Sequence, residues 1–349
     1  MRTFWVWFRL LGGFAIIGVL AWRLGTGAFL DGLRVIGPWP LFAALALGLL
    51  TTVASAWRWR LVASRLGLRL PMRDAVGDYY RAQFLNGVLP AGVLGDVHRA
   101  VQHGRRSGDV GRGVRAVVLE RTAGQVVVVA AGVAVLVFRP TVLPPVAHDV
   151  LTGSGAAVLA GAVVVLAVAF GSGPRWLESP SRWRRAFAVS MADVRAGLLG
   201  LGVWPRVTAL SLLALAGHLA LFVVAARAAG VTAPLTTVLP LLVLALLAMG
   251  LPVNVGGFGP REGVAALAFG AAGLGAQLGL TVAVVYGVLG LVSSLPGGAL
   301  LLMRWLGGLR RTAAQPARQA AREPAPESAA KPALEPAPRL LRVPERSAA

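Results

Sequence analysis

Residues 116–138 read AVVLERTAGQVVVVAAGVAVLVF, and from Thr122 to Phe138 the stretch carries no charge at all. A helix rises 1.5 Å per residue, so about 20 such residues cross the hydrocarbon layer of a bilayer. Blocks of the same kind recur at 8–24, 38–56, 150–170, 207–227, 235–253 and 278–303, with a shorter one at 263–274. In each of them apolar residues go all the way round instead of marking one stripe, which a soluble helix with a greasy face would not do. The chain is 56% apolar and 14% charged, with a mean hydropathy of +0.72. Soluble domains carry about 25% charged residues. The blocks therefore predict an all-α fold: a polytopic membrane helix bundle of about eight transmembrane helices, some of them re-entrant or broken.

The N-terminal block follows Arg2 and Arg9 as a signal peptide would. No small-residue cleavage site comes after Trp22, and Arg23, Asp31 and Arg34 follow instead, so it reads as a retained first span. Cysteine is absent, which excludes disulfides, thiolate metal sites and cysteine nucleophiles. The net charge of +20 rests on arginine, with Lys331 the only lysine.

Those arginines sort by position. Eleven lie between Arg58 and Arg115 and six between Arg175 and Arg206, whereas 139–149 holds only Arg139 and the connection near 227–234 only Arg227. Basic loops stay cytoplasmic. The expected topology has both termini, 57–115 and 171–206 inside a bacterial plasma membrane, and an even number of crossings if 263–274 counts as a short span. Within 175–200, Trp183, Phe187, Met191, Val194 and Leu198 recur at helical spacing between arginines, the pattern of a helix lying on an anionic leaflet; an ordinary solvated loop is the alternative. Residues 306–349 hold seven of the 22 prolines and no apolar period, and are expected to be a disordered cytoplasmic tail beyond a 1–305 membrane domain.

Polar residues inside such a bundle are costly and concentrate where function or helix pairing needs them. Residues 84–100, FLNGVLPAGVLGDVHRA, are too interrupted to span and too apolar for a plain loop. Asn86, Gly87, Pro90, Gly92 and Gly95 break the helix, then Asp96, His98 and Arg99 follow. Broken backbone at membrane depth survives where protein or a wet cavity surrounds it, so the segment reads as a re-entrant element, with a glycine-rich turn as the alternative. Residues 250–263, GLPVNVGGFGPREG, repeat the idea: Asn254, Gly256, Gly257 and Gly259 hold the chain open before Pro260, Arg261 and Glu262 start a helix. The two segments share the frame L-P-x4-G-x3-R, which sets Arg99 and Arg261 at equal offsets from Pro90 and Pro252. Paired broken helices point to a transporter's substrate site, and helix N-termini with an arginine fork suit an anion. Glu120 and Arg121, at the head of the third span, belong either to the same cavity or to a packing ion pair.

The ordered series NGVLPAGVLGDVHRA, VVLER and LPVNVGGFGPREG, within roughly 8–305, resembles the flippase-like membrane domain of lysylphosphatidylglycerol synthases, which also occurs as a stand-alone protein. The resemblance implies movement of anionic or aminoacylated phospholipids, or of polyprenyl-linked lipids, between leaflets. By motif it implies substrate-binding roles for Asn86, Pro90, Gly95, Asp96, Arg99, Glu120, Arg121, Gly256, Gly257, Gly259, Arg261 and Glu262, and includes Pro252; the open backbone of 250–263 adds Asn254 as a candidate. The chain departs from the pattern at Leu94-Gly95, where a glycine pair is usual, and at Gly124-Gln125, where an acid often follows Glu-Arg.

Enzymatic readings fare poorly. Only 306–349 follows the bundle, where the synthases carry a large catalytic domain, so aminoacyl transfer is not expected. His98 and His103 are spaced poorly for a helical metal site, no acid cluster supports them, and GGFG at 256–259 lacks the context of a nucleotide loop. No cofactor and no metal are expected. The arginines follow topology, which leaves no reason to invoke nucleic acid. The expected partners are membrane lipids with anionic headgroups. A second reading is a non-transporting scaffold for a lipid-modifying enzyme or glycosyltransferase. Without a nucleotide motif, pumping would draw on an ion gradient or on the lipid's own gradient.

Overall fold

The structure, a computed structural model, describes residues 36–89, 92–138, 202–250 and 259–320, with side chains as far as 306. Among these residues all regular structure is helical: α1 (Pro38–Arg65), α2 (Met72–Val88), α3 (Leu94–Arg106), α4 (Val110–Phe138), α5 (Trp204–Ala228), α6 (Leu235–Met249), α7 (Pro260–Ala271) and α8 (Ala276–Ala320). Four stretches are long and apolar enough to cross a membrane: α1, α4, α5 and Ala276–Leu306 of α8. With α6 as a shorter apolar helix, this is a polytopic membrane helix bundle. The spans expected at 8–24 and 150–170 and the surface helix at 175–200 lie outside the described residues, as do Pro90, Pro252, Asn254, Gly256 and Gly257. The chain divides into units Met1–Leu301 and Leu302–Ala349, and both sites below belong to the first. The expected tail is helical as far as Ala320, and 321–349 lie outside the described residues.

Prolines set where several helices begin. Pro38, Pro205 and Pro260 occupy the first turns of α1, α5 and α7, where a missing N–H leaves no bond unmade. Two helices outrun their apolar blocks. α1 continues past residue 56 to Arg65, and α4 starts at Val110, so Glu120 stands about three turns inside a helix and not at its head. The stretch 57–115 is accordingly not a basic loop but mostly helix. Arg58, Arg81 and Arg99 among its arginines are buried, so they answer to partners inside the protein as well as to topology.

Small residues let the helices approach closely, as membrane packing requires. Gly217 of α5 faces Thr51 of α1, while Ser211 receives a bond from Arg58, so α1 and α5 run antiparallel. Gly48 of α1 meets Ser293 of α8, and Gly297 of α8 lies against the Tyr80 carbonyl of α2. Two large apolar clusters result, beside a small one of Ala266, Leu280 and Val284. One, around Phe222, Leu241, Phe269 and Tyr286, joins α5 to α8; the other, around Trp59, Tyr79 and Val117, joins the end of α1 to α2, α3 and α4.

Candidate functional site

The second cluster encloses a net of charges. Glu120 is fully buried and accepts from Arg58 through Nε (3.0 Å) and Nη2 (2.5 Å), from the Tyr79 hydroxyl (3.3 Å) and from Arg99 Nη2 (2.6 Å). Asp96 accepts from Arg99 Nε (3.0 Å), from Asn86 Nδ2 (2.8 Å) and from Arg121 Nη2. Arg58 Nη1 donates to Ser211 Oγ at 2.9 Å. The Arg99 guanidinium is itself fully buried, 4.7 Å from the Trp59 ring centre and 4.3 Å from that of Tyr79. Such stacking favours arginine, whose weakly hydrated plane tolerates burial better than an ammonium.

Local geometry explains why α3 delivers its residues here. The chain breaks after Val88 and resumes helically at Leu94. Asn86 spans the break: its carbonyl oxygen accepts the Gly95 amide at 2.8 Å while its amide holds Asp96. A Cβ at Gly95 would stand 2.1 Å from the Ala82 carbonyl oxygen, so only glycine lets α3 lie this close to α2. Asp96 and Arg99 then follow on one helical face. Asp96 is held below the usual carboxylate range; burial opposes this, and Arg121, Arg99 and the Asn86 bond outweigh it.

Among the described residues the net is short of negative charge. Arg58, Arg99 and Arg121 face Asp96 and Glu120, leaving one positive charge. Arg99 Nη1 is buried and, among the described residues, has no hydrogen-bond partner. The Arg121 side chain is 46% exposed, so it forms the outer edge of the net. Gly124, where the resemblance leads one to expect an acid nearby, gives room to the Arg58 guanidinium: a Cβ there would lie 2.9–3.1 Å from it.

The second segment is built differently. Gly259 has φ 138°, a left-handed conformation that suits glycine. Its amide donates to Glu262 Oε2 at 2.6 Å, and Arg261 Nε donates to Glu262 Oε1 at 2.9 Å. Both side chains are buried, and Arg261 lies 5.1 Å from the centre of the Tyr286 ring. Tyr286 stacks on Phe222 at 4.1 Å, and its hydroxyl is 3.2 Å from His218 Nδ1.

The structure thus gathers Asn86, Gly95, Asp96, Arg99, Glu120 and Arg121 in one net, and Gly259, Arg261 and Glu262 at one helix start. The shared sequence frame does not carry over to the helices. α3 starts four residues after Pro90, so Arg99 is in its second turn, whereas α7 starts eight residues after Pro252, with Arg261 in its first turn. Pro260 disfavours helix at the residue before it, and nothing comparable follows Gly92. Sequence reasoning missed Arg58, Trp59, Tyr79, Ser211, His218 and Tyr286. A polar stripe at Thr51, Ser55 and Arg58, spaced as one face of an otherwise apolar helix, is the signal that finds Arg58. His98 is exposed, while His103 is buried edge-on against Trp59 at 5.4 Å. Among the described residues, no group of three or more His, Asp or Glu stands together as metal ligands do.

Residues 6–297 match the family described as the lysylphosphatidylglycerol synthase TM region. No curated protein and no solved structure matches the chain.

Proposed function

The chain belongs to the lysylphosphatidylglycerol synthase TM region family, and on that premise we propose that it moves a lipid with an anionic headgroup between leaflets. The candidates are an anionic or aminoacylated phospholipid and a polyprenyl-linked lipid. The observation that carries this reading is the charge net: three guanidiniums against two carboxylates in an apolar bundle, one of them half exposed at the edge. A bundle that needed only cohesion would gain nothing from a surplus cation at such cost.

Arg121 is the entry. It stands where the uncharged run of α4 begins, so a headgroup at the membrane surface reaches it while its acyl chains stay beside apolar helix. A phosphate takes both prongs of a guanidinium, exchanging with Asp96, which keeps Arg99 and Asn86 as partners. On the topology read from the basic segments, this end of the bundle is the cytoplasmic one. Arg261 is the second station.

The test is leaflet exchange of phosphatidylglycerol in liposomes holding the purified protein. Arg99→Ala, Arg261→Ala and Arg121→Gln are each expected to abolish or strongly slow exchange with expression intact. Unchanged exchange in all three would remove the site as drawn. The near-complete pairing of both acids favours a second reading, a scaffold for a lipid-modifying enzyme, which a stoichiometric enzyme partner on purification would support.

A further inference from the structure

The described acids inside the bundle are committed to arginine. Glu120 holds Arg58 and Arg99, Asp96 holds Arg99 and Arg121, Asp78 holds Arg81 and Arg106, and Glu262 holds Arg261. A carboxylate gripped by a guanidinium is a poor carrier of protons, because taking one up abandons the pair. Tyrosines titrate far above neutral pH. That leaves two buried or half-buried histidines, His103 on α3 and His218 on α5. Of these, only His218 stands on a long apolar helix able to cross a membrane.

His218 also stands between the two arginine sites. Ser211, which holds Arg58, precedes it by seven residues, two turns on the same face and about 10 Å along the axis of α5. Nδ1 meets the Tyr286 hydroxyl at 3.2 Å, and Tyr286 lies under Arg261. Tyr286 from α8 bonds it, with Arg261 of α7 beyond, and the charges of Arg58 on α1 and Arg121 on α4 are near enough to act on it. α6 contributes no charged or titratable group.

We propose that His218, bonded to Tyr286, is the site of a proton that crosses together with the anionic headgroup. The imidazole takes up one proton and becomes an imidazolium, both of whose ring nitrogens donate; the Tyr286 hydroxyl rotates to accept from Nδ1. An anion held at Arg121, or after it at Arg261, attracts that proton, and the proton attracts the anion. Each therefore tightens the binding of the other by the same factor. Release on the far side returns a neutral imidazole, so one headgroup charge and one proton move as a neutral pair. An inward or outward proton gradient then drives the lipid. This deepens the function proposed above and rests on it.

The experiment uses the full chain in phosphatidylcholine vesicles containing fluorescent phosphatidylglycerol, with and without a one-unit pH gradient, beside protein-free vesicles. The wild type is expected to exchange the lipid without a gradient and to accumulate it in the leaflet facing the alkaline side when one is imposed. Protons bind on the acid side and leave on the alkaline side, and one proton per lipid gives about tenfold asymmetry per pH unit. His218→Gln and Tyr286→Phe are expected to lose the asymmetry, and His103→Gln to keep it. Exchange by the wild type that ignores the gradient overturns the proton site alone, as does asymmetry that survives in His218→Gln. No exchange by the wild type overturns the transport function, and the proton site with it.

Discussion

Arg99 and Arg261 make an instructive pair. Each is buried, lies on an aromatic ring and binds a carboxylate, and each occupies the same place in a repeated sequence frame. Yet Arg99 is tied to Glu120, 21 residues away, within a net that draws on α1, α2, α3, α4 and α5. Arg261 is tied to its own neighbour, whose other oxygen caps the helix they share. That pair is local in sequence, although both side chains are buried and Arg261 also lies on Tyr286 of α8. A dispersed net exists only once five helices have docked, and every member is then needed by several others.

That contrast orders the effects of substitution. Glu120→Ala strands Arg58 and Arg99 in the interior and is expected to cost about 3–5 kcal/mol, measured by unfolding in detergent. Glu262→Gln keeps an acceptor for the Gly259 amide but turns an NH2 toward Arg261, which also donates, and so weakens one arginine's pairing where Glu120→Ala weakens two; about 1.5–3 kcal/mol is expected. The reverse order would break the comparison. Gly95→Ala drives a methyl against the Ala82 carbonyl and is expected to cost about 1–3 kcal/mol, with Asp96 and Arg99 displaced together. Gly124→Ala presses on the Arg58 guanidinium at 2.9–3.1 Å, a side-chain end and not a backbone carbonyl at 2.1 Å, and should cost less, with the bonds of Arg58 to Glu120 and Ser211 shifted. Arg99→Lys offers one point charge where a fork bridges two acids, so it should weaken stability and lipid exchange more than Arg261→Lys does.

The smallest effect concerns pH. Burial, which outweighs the nearby Asp78, holds the His103 imidazole below its ordinary range. The unfolded chain therefore binds a proton that the folded one refuses. The contribution of His103 is fully present above the usual histidine range and is lost as pH falls through it. His103→Gln should flatten this part of the stability–pH curve, while a curve that rises on acidification would show the sign to be wrong.

The bundle was legible because the bilayer imposes length and uninterrupted apolarity, both of which are written along the chain. Several residues of the net stood out in the sequence, Asn86, Asp96 and Arg99 in an interrupted apolar segment and Glu120 and Arg121 as an adjacent acid and base, but their joining into one net did not. What was not legible came from distant helices. Arg58 read as the first of a basic loop, because an arginine just past an apolar block looks the same whether the helix ends or continues. Its burial depends on Glu120, Ser211 and the space at Gly124, none of them near it in sequence. The repeat failed for a local reason: Pro260 delays α7, and the same frame then places its arginine one turn earlier.

The central claim is that the three-arginine net is an anion site. Mass spectrometry of lipids retained by the purified protein tests it most directly. Wild-type protein should carry anionic lipid enriched above the surrounding membrane, Arg121→Gln and Arg99→Ala should lose that enrichment, and an exposed control such as Arg112→Gln should keep it. Retained lipid of bulk composition in the wild type, or enrichment unchanged by loss of Arg99 and Arg121, would contradict the account.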